Sequence, residues 1–269
     1  MAVNFIKMHG AGNDFVVIDC RNQEVNLSFE QIKKISARQN VGCDQLLLLQ
    51  ETLDADIFMK IYNSDGSISA ACGNATRCVA QIIMEELQKN EVNIKTDAGI
   101  LKAQKIDDLI WVNMGLPKLS WQEIPVREEC DIAKISLENR DFFAVNMGNP
   151  HIVTFLAKGE DLAGVNLLEI GPKLENSQLF PERTNIEFVK IVAANHLQIR
   201  VWERGAGETL ACGTGACAVF VAAISQGLIL LERNLRLSFP GGDLFVRQND
   251  DGMIFLSGEV EKIYEGVLC

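Results

Sequence analysis

No apolar run in this chain approaches the ~20 residues that a membrane helix needs, so a helical membrane span is excluded and no membrane partner is expected. The start, Met1-Ala2-Val3-Asn4-Phe5, has no basic stretch followed by an apolar one. A secretory leader is therefore not expected, and the expected compartment is the cytoplasm. Basic charge is also scarce: 25 Lys and Arg stand against 36 Asp and Glu, a net charge of −11. A nucleic-acid surface needs clustered Lys and Arg, so no nucleic-acid partner is expected. That balance leaves a small zwitterionic ligand open, because such a ligand is held by a local site. Low-complexity segments and long linkers are lacking too. Gly10-Ala11-Gly12 and Gly213-Thr214-Gly215 are glycine fragments that complete neither a dinucleotide nor a P-loop fingerprint.

What is present is ample core material. The 269 residues are 48% apolar and 23% charged, the balance of a globular protein of one large or two ordinary domains. Eight cysteines stand at 20, 43, 72, 78, 130, 212, 217 and 269. Without an export signal, reduced thiols are the better expectation than a disulfide framework.

The first half reads as short strands punctuated by helices. Strands are predicted at Val3–Lys7, Phe15–Asp19, Leu46–Leu49, Ile57–Tyr62, Val92–Thr96, Leu101–Gln104 and Ile110–Met114. Ser28 and Gln31 form a capping-box pattern that opens a helix to about Gln39. A polar loop, Asn63–Ala71, precedes a helix over Gly73–Gln88. Gly115-Leu116-Pro117 breaks the pattern and marks a domain boundary. The division expected is 1–116 and 117–261. The second half repeats the grammar. Strands are predicted at Phe142–Asn146, Ile152–Leu156, Asn185–Val192, Leu197–Trp202, Leu235–Phe239, Leu244–Arg247 and Met253–Leu256. A polar loop, Glu203–Ala211, precedes a helix over Gly213–Ser225. From Ala216 to Ile224 that helix is apolar on every face, so it must be buried on every face. Each half thus reads as strands wrapped around one central helix.

The two helix starts match. Ala71-Cys72-Gly73-Asn74 and Ala211-Cys212-Gly213-Thr214 each follow a polar loop that leaves a strand. Asn63 and Glu203 each stand nine residues before their cysteine. This is a duplicated half-domain, and the two copies are expected to face each other across a cleft. A thiol at a helix N-terminus sits near unpaired N–H groups and the positive end of the helix dipole, which favour the thiolate and can hold a carboxylate. Gly73 and Gly213 allow close backbone approach to a ligand. Two thiols flanking an α-carbon, one ionised and one protonated, would supply the base and the acid of an epimerisation with no cofactor. Cys78 and Cys217 fall inside the helices as core. Cys20, Cys43, Cys130 and Cys269 lack such a context. A zinc site from Cys72, Cys78, Cys212 and Cys217 is disfavoured, since structural pairs are usually spaced C-x2–4-C. His9 and His196 are expected to be structural.

At this point the motifs resemble those of the diaminopimelate epimerase family. They run Lys7 to Phe15, Gly42-Cys43-Asp44-Gln45-Leu46, Asn63 to Cys78, Met147-Gly148-Asn149-Pro150-His151, Arg183-Thr184-Asn185 and Glu203 to Cys217. They stand in order over most of the chain. The resemblance implies an α/β protein of α+β type, with two pseudosymmetric domains, the active-site cleft between them, and a C-terminal segment, 262–269, returning to the first domain. It implies conversion of LL-2,6-diaminopimelate to the meso form, with no pyridoxal phosphate and no metal, and commonly a homodimer. By motif position it makes Cys72 and Cys212 the acid/base pair, with His151 and Glu203 tuning or relaying their protons. It assigns Asn13, Gln45, Asn63, Gly73, Asn74, Asn149, Asn185, Glu203, Arg204, Gly213 and Thr214 to substrate. Amide side chains suit a ligand with two ammonium and two carboxylate groups, and Arg204 suits its distal carboxylate. One departure is Ala75-Thr76 where the commoner family pattern has Gly-Ala. The competing readings are a two-cysteine racemase for another amino acid and a non-catalytic amino-acid binding protein.

Overall fold

The computed structural model describes residues 2–22, 25–230 and 234–268. Two compact units divide the chain: Met1–Asn113 with Ser257–Cys269, and Met114–Leu256.

The first unit opens with β1 (Val3–Gly10), β2 (Asn13–Asp19), α1 (Phe29–Ser36), β3 (Gln45–Gln50) and β4 (Ile57–Asn63). The short β5 (Ile68–Ser69), α2 (Gly73–Leu87), β6 (Glu91–Thr96), β7 (Gly99–Ile106) and β8 (Leu109–Gly115) follow. Their alternating or continuous apolar runs make them strands; Val16–Ile18 and Leu46–Leu49 are all buried. The capping box at α1 is present: Ser28 Oγ accepts from Gln31 N and Gln31 Oε1 accepts from Ser28 N. This helix ends at Ser36, short of the expected Gln39, because its last carbonyls are taken by returning chain. Gly42 N donates to Ile35 O and Cys43 N to Ser36 O. Arg38 is thereby free to pair with Asp14 and Asp44.

The second unit contains β9 (Ile135–Leu137), β10 (Arg140–Asn146), β11 (Pro150–Phe155), α3 (Leu167–Glu175), β12 (Asn185–Ala193) and β13 (His196–Glu203). It continues with β14 (Gly207–Thr209), α4 (Gly213–Ser225), β15 (Leu235–Phe239) and β16 (Gly242–Gln248). Next comes β17 (Ile254–Gly258), after which the chain is back in the first unit, where β18 (Glu261–Leu268) pairs antiparallel with β1. Neither β18 nor α3 is legible in the sequence. In α3, Gly171 and Pro172 are helix breakers, yet the helix persists. A Cβ at Gly171 would stand 2.3 Å from the Trp202 ring, so the indole packs where only glycine fits.

Both units use the same pairing order. From β1 to β2, β3, β4, β6 and β7 the pairings run antiparallel, parallel, antiparallel, parallel, antiparallel. From β10 to β11, β12, β13, β15 and β16 the series is identical. In each unit a short strand, β5 or β14, pairs back on its predecessor and delivers the chain to the central helix. Every residue from Gly215 to Ala223 of α4 is buried, as its all-round apolar face requires. The α/β class and the duplicated strand-and-helix halves agree with the sequence reading.

The shared register fixes which residues correspond. Phe15 pairs with Gln45, and Gln45 with Asn63. In the second unit His151 pairs with Asn185, and Ile186 with Trp202, which brings Asn185 beside Glu203. Phe15 therefore corresponds to His151, Gln45 to Asn185, Asn63 to Glu203 and Cys72 to Cys212. Two residues along the third strand of each series, Leu47 corresponds to Glu187. Three residues beyond each cysteine, Ala75 corresponds to Gly215.

Candidate active site

In the first unit the strand ends and the start of α2 gather one set of predicted residues. Cys72 is the N-cap of α2, extended at φ −151° and ψ 115°, and its carbonyl accepts from the N–H and hydroxyl of Thr76. The first N–H groups of α2, at Gly73, Asn74 and Ala75, have no partner within the helix. Behind them Asn74 is buried, and its Oδ1 accepts from the buried Arg77 Nη2 at 2.9 Å. Asn74 is thus placed to hold Arg77. Gln45 Nε2 donates to Asn63 Oδ1 at 2.9 Å, and Asn63 Nδ2 to Ser67 Oγ at 3.0 Å. Two buried acceptors, Asn13 Oδ1 and Gln45 Oε1, have no hydrogen-bond partner among the described residues. A buried acceptor left in that state costs free energy unless a donor arrives, and an ammonium is such a donor. Below, the Lys7 ammonium and the Arg38 guanidinium pair with Asp14. Burial acts against the Asp14 charge, but those two cations hold its carboxyl well below the usual range.

In the second unit Cys212 caps α4 at φ −133° and ψ 118°. Its sulfur accepts from Gly215 N at 3.3 Å and lies 3.4 Å from Thr214 Oγ1. The helix start was expected to favour a thiolate here. Instead, burial first, and then the Glu203 and Glu187 carboxylates, push the Cys212 thiol well above its ordinary value. The bonds from Thr214 and Gly215 act the other way and are outweighed. Glu203 accepts from the Thr209 hydroxyl. The fully buried His151 reaches Glu187 Oε1 through Nδ1 at 2.7 Å and Asn149 Oδ1 through Nε2 at 2.9 Å. Asn185 spends its amide on the protein: Nδ2 donates to Pro150 O at 2.8 Å and Oδ1 accepts from Arg204 N at 2.9 Å. It therefore shapes the turn that carries Glu203 and Arg204. Arg204 Nη1 donates to Glu182 O at 2.8 Å.

Two residues in this unit escaped the sequence reading. Glu175 accepts from Trp202 Nε1 at 2.7 Å, Gly205 N at 2.9 Å and Arg183 Nη1 at 3.0 Å, so it ties α3 to the Arg204 turn. Glu187 is fully buried on β12 against His151. A lone carboxylate inside the apolar run Ile186–Val189 was the available signal, since an acid in a buried strand needs a partner. His196 bonds Ser238 and His9 bonds Glu261, each in a local contact. Burial pushes Cys78 up to about 12 and Cys20 up to about 11, with Asp19 adding to the latter. Cys43 and Cys130 are raised as well, also chiefly by burial. Cys217 is fully buried in α4, and Cys269 lies outside the described residues. Among the described residues no three of His, Cys, Asp or Glu are grouped as metal ligands would be, and no helix is long and apolar enough to cross a membrane.

The diaminopimelate epimerase family model matches residues 5–120 and 143–263. The diaminopimelate epimerase of Acidiphilium cryptum is 45% identical, over 98% of this chain and 95% of that protein. That of Pelagibacter ubique is 41% identical, over 98% of this chain and 97% of that protein. Among solved structures, a predicted epimerase from Pseudomonas aeruginosa aligns over 99% of both chains at a TM-score of 0.69 and 14% identity. A hydroxyproline epimerase from Agrobacterium vitis aligns over 99% of this chain and 91% of that one, at a TM-score of 0.66 and 16% identity. At such identities these structures speak for the fold alone.

Proposed function

The chain belongs to the diaminopimelate epimerase family, and on that premise we propose that it interconverts LL- and meso-2,6-diaminopimelate by moving one proton between Cys72 and Cys212. The observation that carries this reading is the repeated placement of a cysteine as N-cap of a central helix, once in each matched strand frame. One thiolate removes the α-proton from one face of the carbon. The other thiol delivers its own proton to the opposite face, and the configuration inverts. Charge left by the departing proton spreads into the carboxylate, where N–H groups of the α2 and α4 first turns, at Gly73, Asn74, Gly213 and Thr214, are the donors that stabilise it. Asn13 Oδ1 and Gln45 Oε1 are acceptors suited to an ammonium. Glu203 takes the role of a second charged acceptor, and Arg204 that of the grip on the distal carboxylate. His151 is the proton partner of the Cys212 side.

The enzyme is proposed to need no cofactor and to work in the cytoplasm as a homodimer. The exposed Ile263, Tyr264 and Val267 of β18 offer apolar surface for such an association, and the mass of the native protein in solution tests it. The function is tested by incubating fully reduced, metal-free protein with LL-diaminopimelate and separating the stereoisomers. Appearance of the meso form is expected. A bound but unconverted ligand would leave a binding protein in its place.

A further inference from the structure

The two half-sites are not chemically equal. Where the first unit has Phe15 and Leu47, both fully buried, the second has His151 and Glu187, also fully buried. An apolar pair has been exchanged for an ionisable one at the same register positions. The exchange coincides with a third difference. A Cβ on Gly215 would stand 2.7 Å from Glu187 Oε1, 3.2 Å from Cys212 Cβ and 3.3 Å from Cys212 Sγ. The carboxylate thus presses into the first turn of α4, in the space a methyl group would fill, and the Cys212 thiol borders the same space. Ala75 carries that methyl group in the first unit, where Leu47 brings no carboxylate. The departure from the commoner Gly-Ala pattern after Cys72 therefore falls where nothing needs the glycine.

We propose that Glu187 is a positioning residue for Cys212, holding it as the protonated member of the cysteine pair in the resting enzyme. This rests on the two-cysteine reading given above. Glu187 Oε1 meets His151 Nδ1 at 2.7 Å, and Oε2 has no hydrogen-bond partner among the described residues. His151 Nε2 is directed to Asn149, while Glu187 Oε1 stands beside Gly215 in the first turn of α4. Glu203 on β13 is the second carboxylate acting on Cys212. Strands β10 and β16 also pack against α4, and their buried residues, Phe142–Val145, Leu244 and Val246, do not titrate. Glu187, Glu203 and His151 are thus the ionisable groups around this sulfur; burial pushes the Glu187 carboxyl up, and its contact with His151 acts the other way. A like charge close to an acid makes its ionisation harder.

The test is the pH dependence of iodoacetamide alkylation in the full, reduced protein without substrate, with each cysteine followed by peptide mass. In the unsubstituted protein the midpoint for Cys212 is expected above the ~8.5 of an ordinary thiol. In Glu187→Gln it is expected to fall by about one pH unit or more, while that of Cys72 stays in place. A purely structural Glu187 would change the amplitude or the stability without moving the midpoint. An unmoved or raised Cys212 midpoint in Glu187→Gln overturns the proposal. If that variant does not fold, Glu187→Leu, which copies Leu47, carries the same expectation. A Cys212 midpoint at or below ~8.5 in the unsubstituted protein overturns the proposal by itself. Because alkylation needs no substrate, loss of this inference and loss of the epimerase reading are told apart by the stereoisomer assay.

Discussion

The chemistry rests on a few side chains whose environments differ more than their motifs do. Cys72 and Cys212 share the local sequence Ala-Cys-Gly, yet burial and the charges of Glu203 and Glu187 push the Cys212 thiol well above its ordinary value. Both cysteines are required if one removes the proton and the other returns it. Cys72→Ala and Cys212→Ala are each expected to lower the interconversion rate by at least ~10²–10⁴, the usual contribution of a positioned acid or base. Circular dichroism should stay unchanged. Full activity in either variant would remove that residue from the mechanism. The cysteines were legible in the sequence because they start matched helices. Glu187 and Glu175 were not: each acts through contacts between segments distant in the chain, with His151 in one case and Trp202 and Gly205 in the other. Only a paired register brings such groups together.

At the scale of elements, the starts of α2 and α4 were legible to the residue, because Cys-Gly after a polar loop and an apolar helical run mark the same point. Their first turns nevertheless have different tolerances. Gly215→Ala would drive a methyl into Glu187 Oε1 at 2.7 Å, with the Cys212 side chain at 3.2 Å behind it. Overpacking of this kind costs about 1–3 kcal/mol, and turnover should fall at least ~10-fold as the thiol is displaced. The reciprocal change, Ala75→Gly, should cost only the ~0.5–1 kcal/mol of helix entropy and leave turnover nearly intact. Urea denaturation and initial rates check both. Equal effects of the two substitutions would show that the first turns are equivalent after all. The elements that sequence reasoning missed have physical causes. Helix α3 hides behind Gly171 and Pro172, and is held by Trp202 packing against the glycine. In β18 the first five residues are all exposed and so mix charge with apolar side chains, and its strand character comes from pairing with β1 rather than from an alternating pattern.

Across the whole molecule, duplication is the feature that sequence and structure share most fully. Five successive strand pairings alternate identically in the two units, and between the fourth and fifth strands of each series stands a cysteine at the head of the central helix. Duplication supplied two similar thiols, and divergence at Phe15/His151, Leu47/Glu187 and Ala75/Gly215 gave them different surroundings. Substrate identity was the part that residues alone left open, and it came from motif resemblance and the family match. The central claim is that two thiols, not one, handle the α-proton. It is tested most directly by the first turnovers of LL-diaminopimelate in D2O, read by NMR and mass at the α-carbon. Two bases predict deuterium in the newly formed meso product and none in the LL substrate that remains, because the base returns the proton it has just taken while the acid delivers deuterium from solvent. Deuterium appearing equally in substrate and product, or in neither, would contradict it.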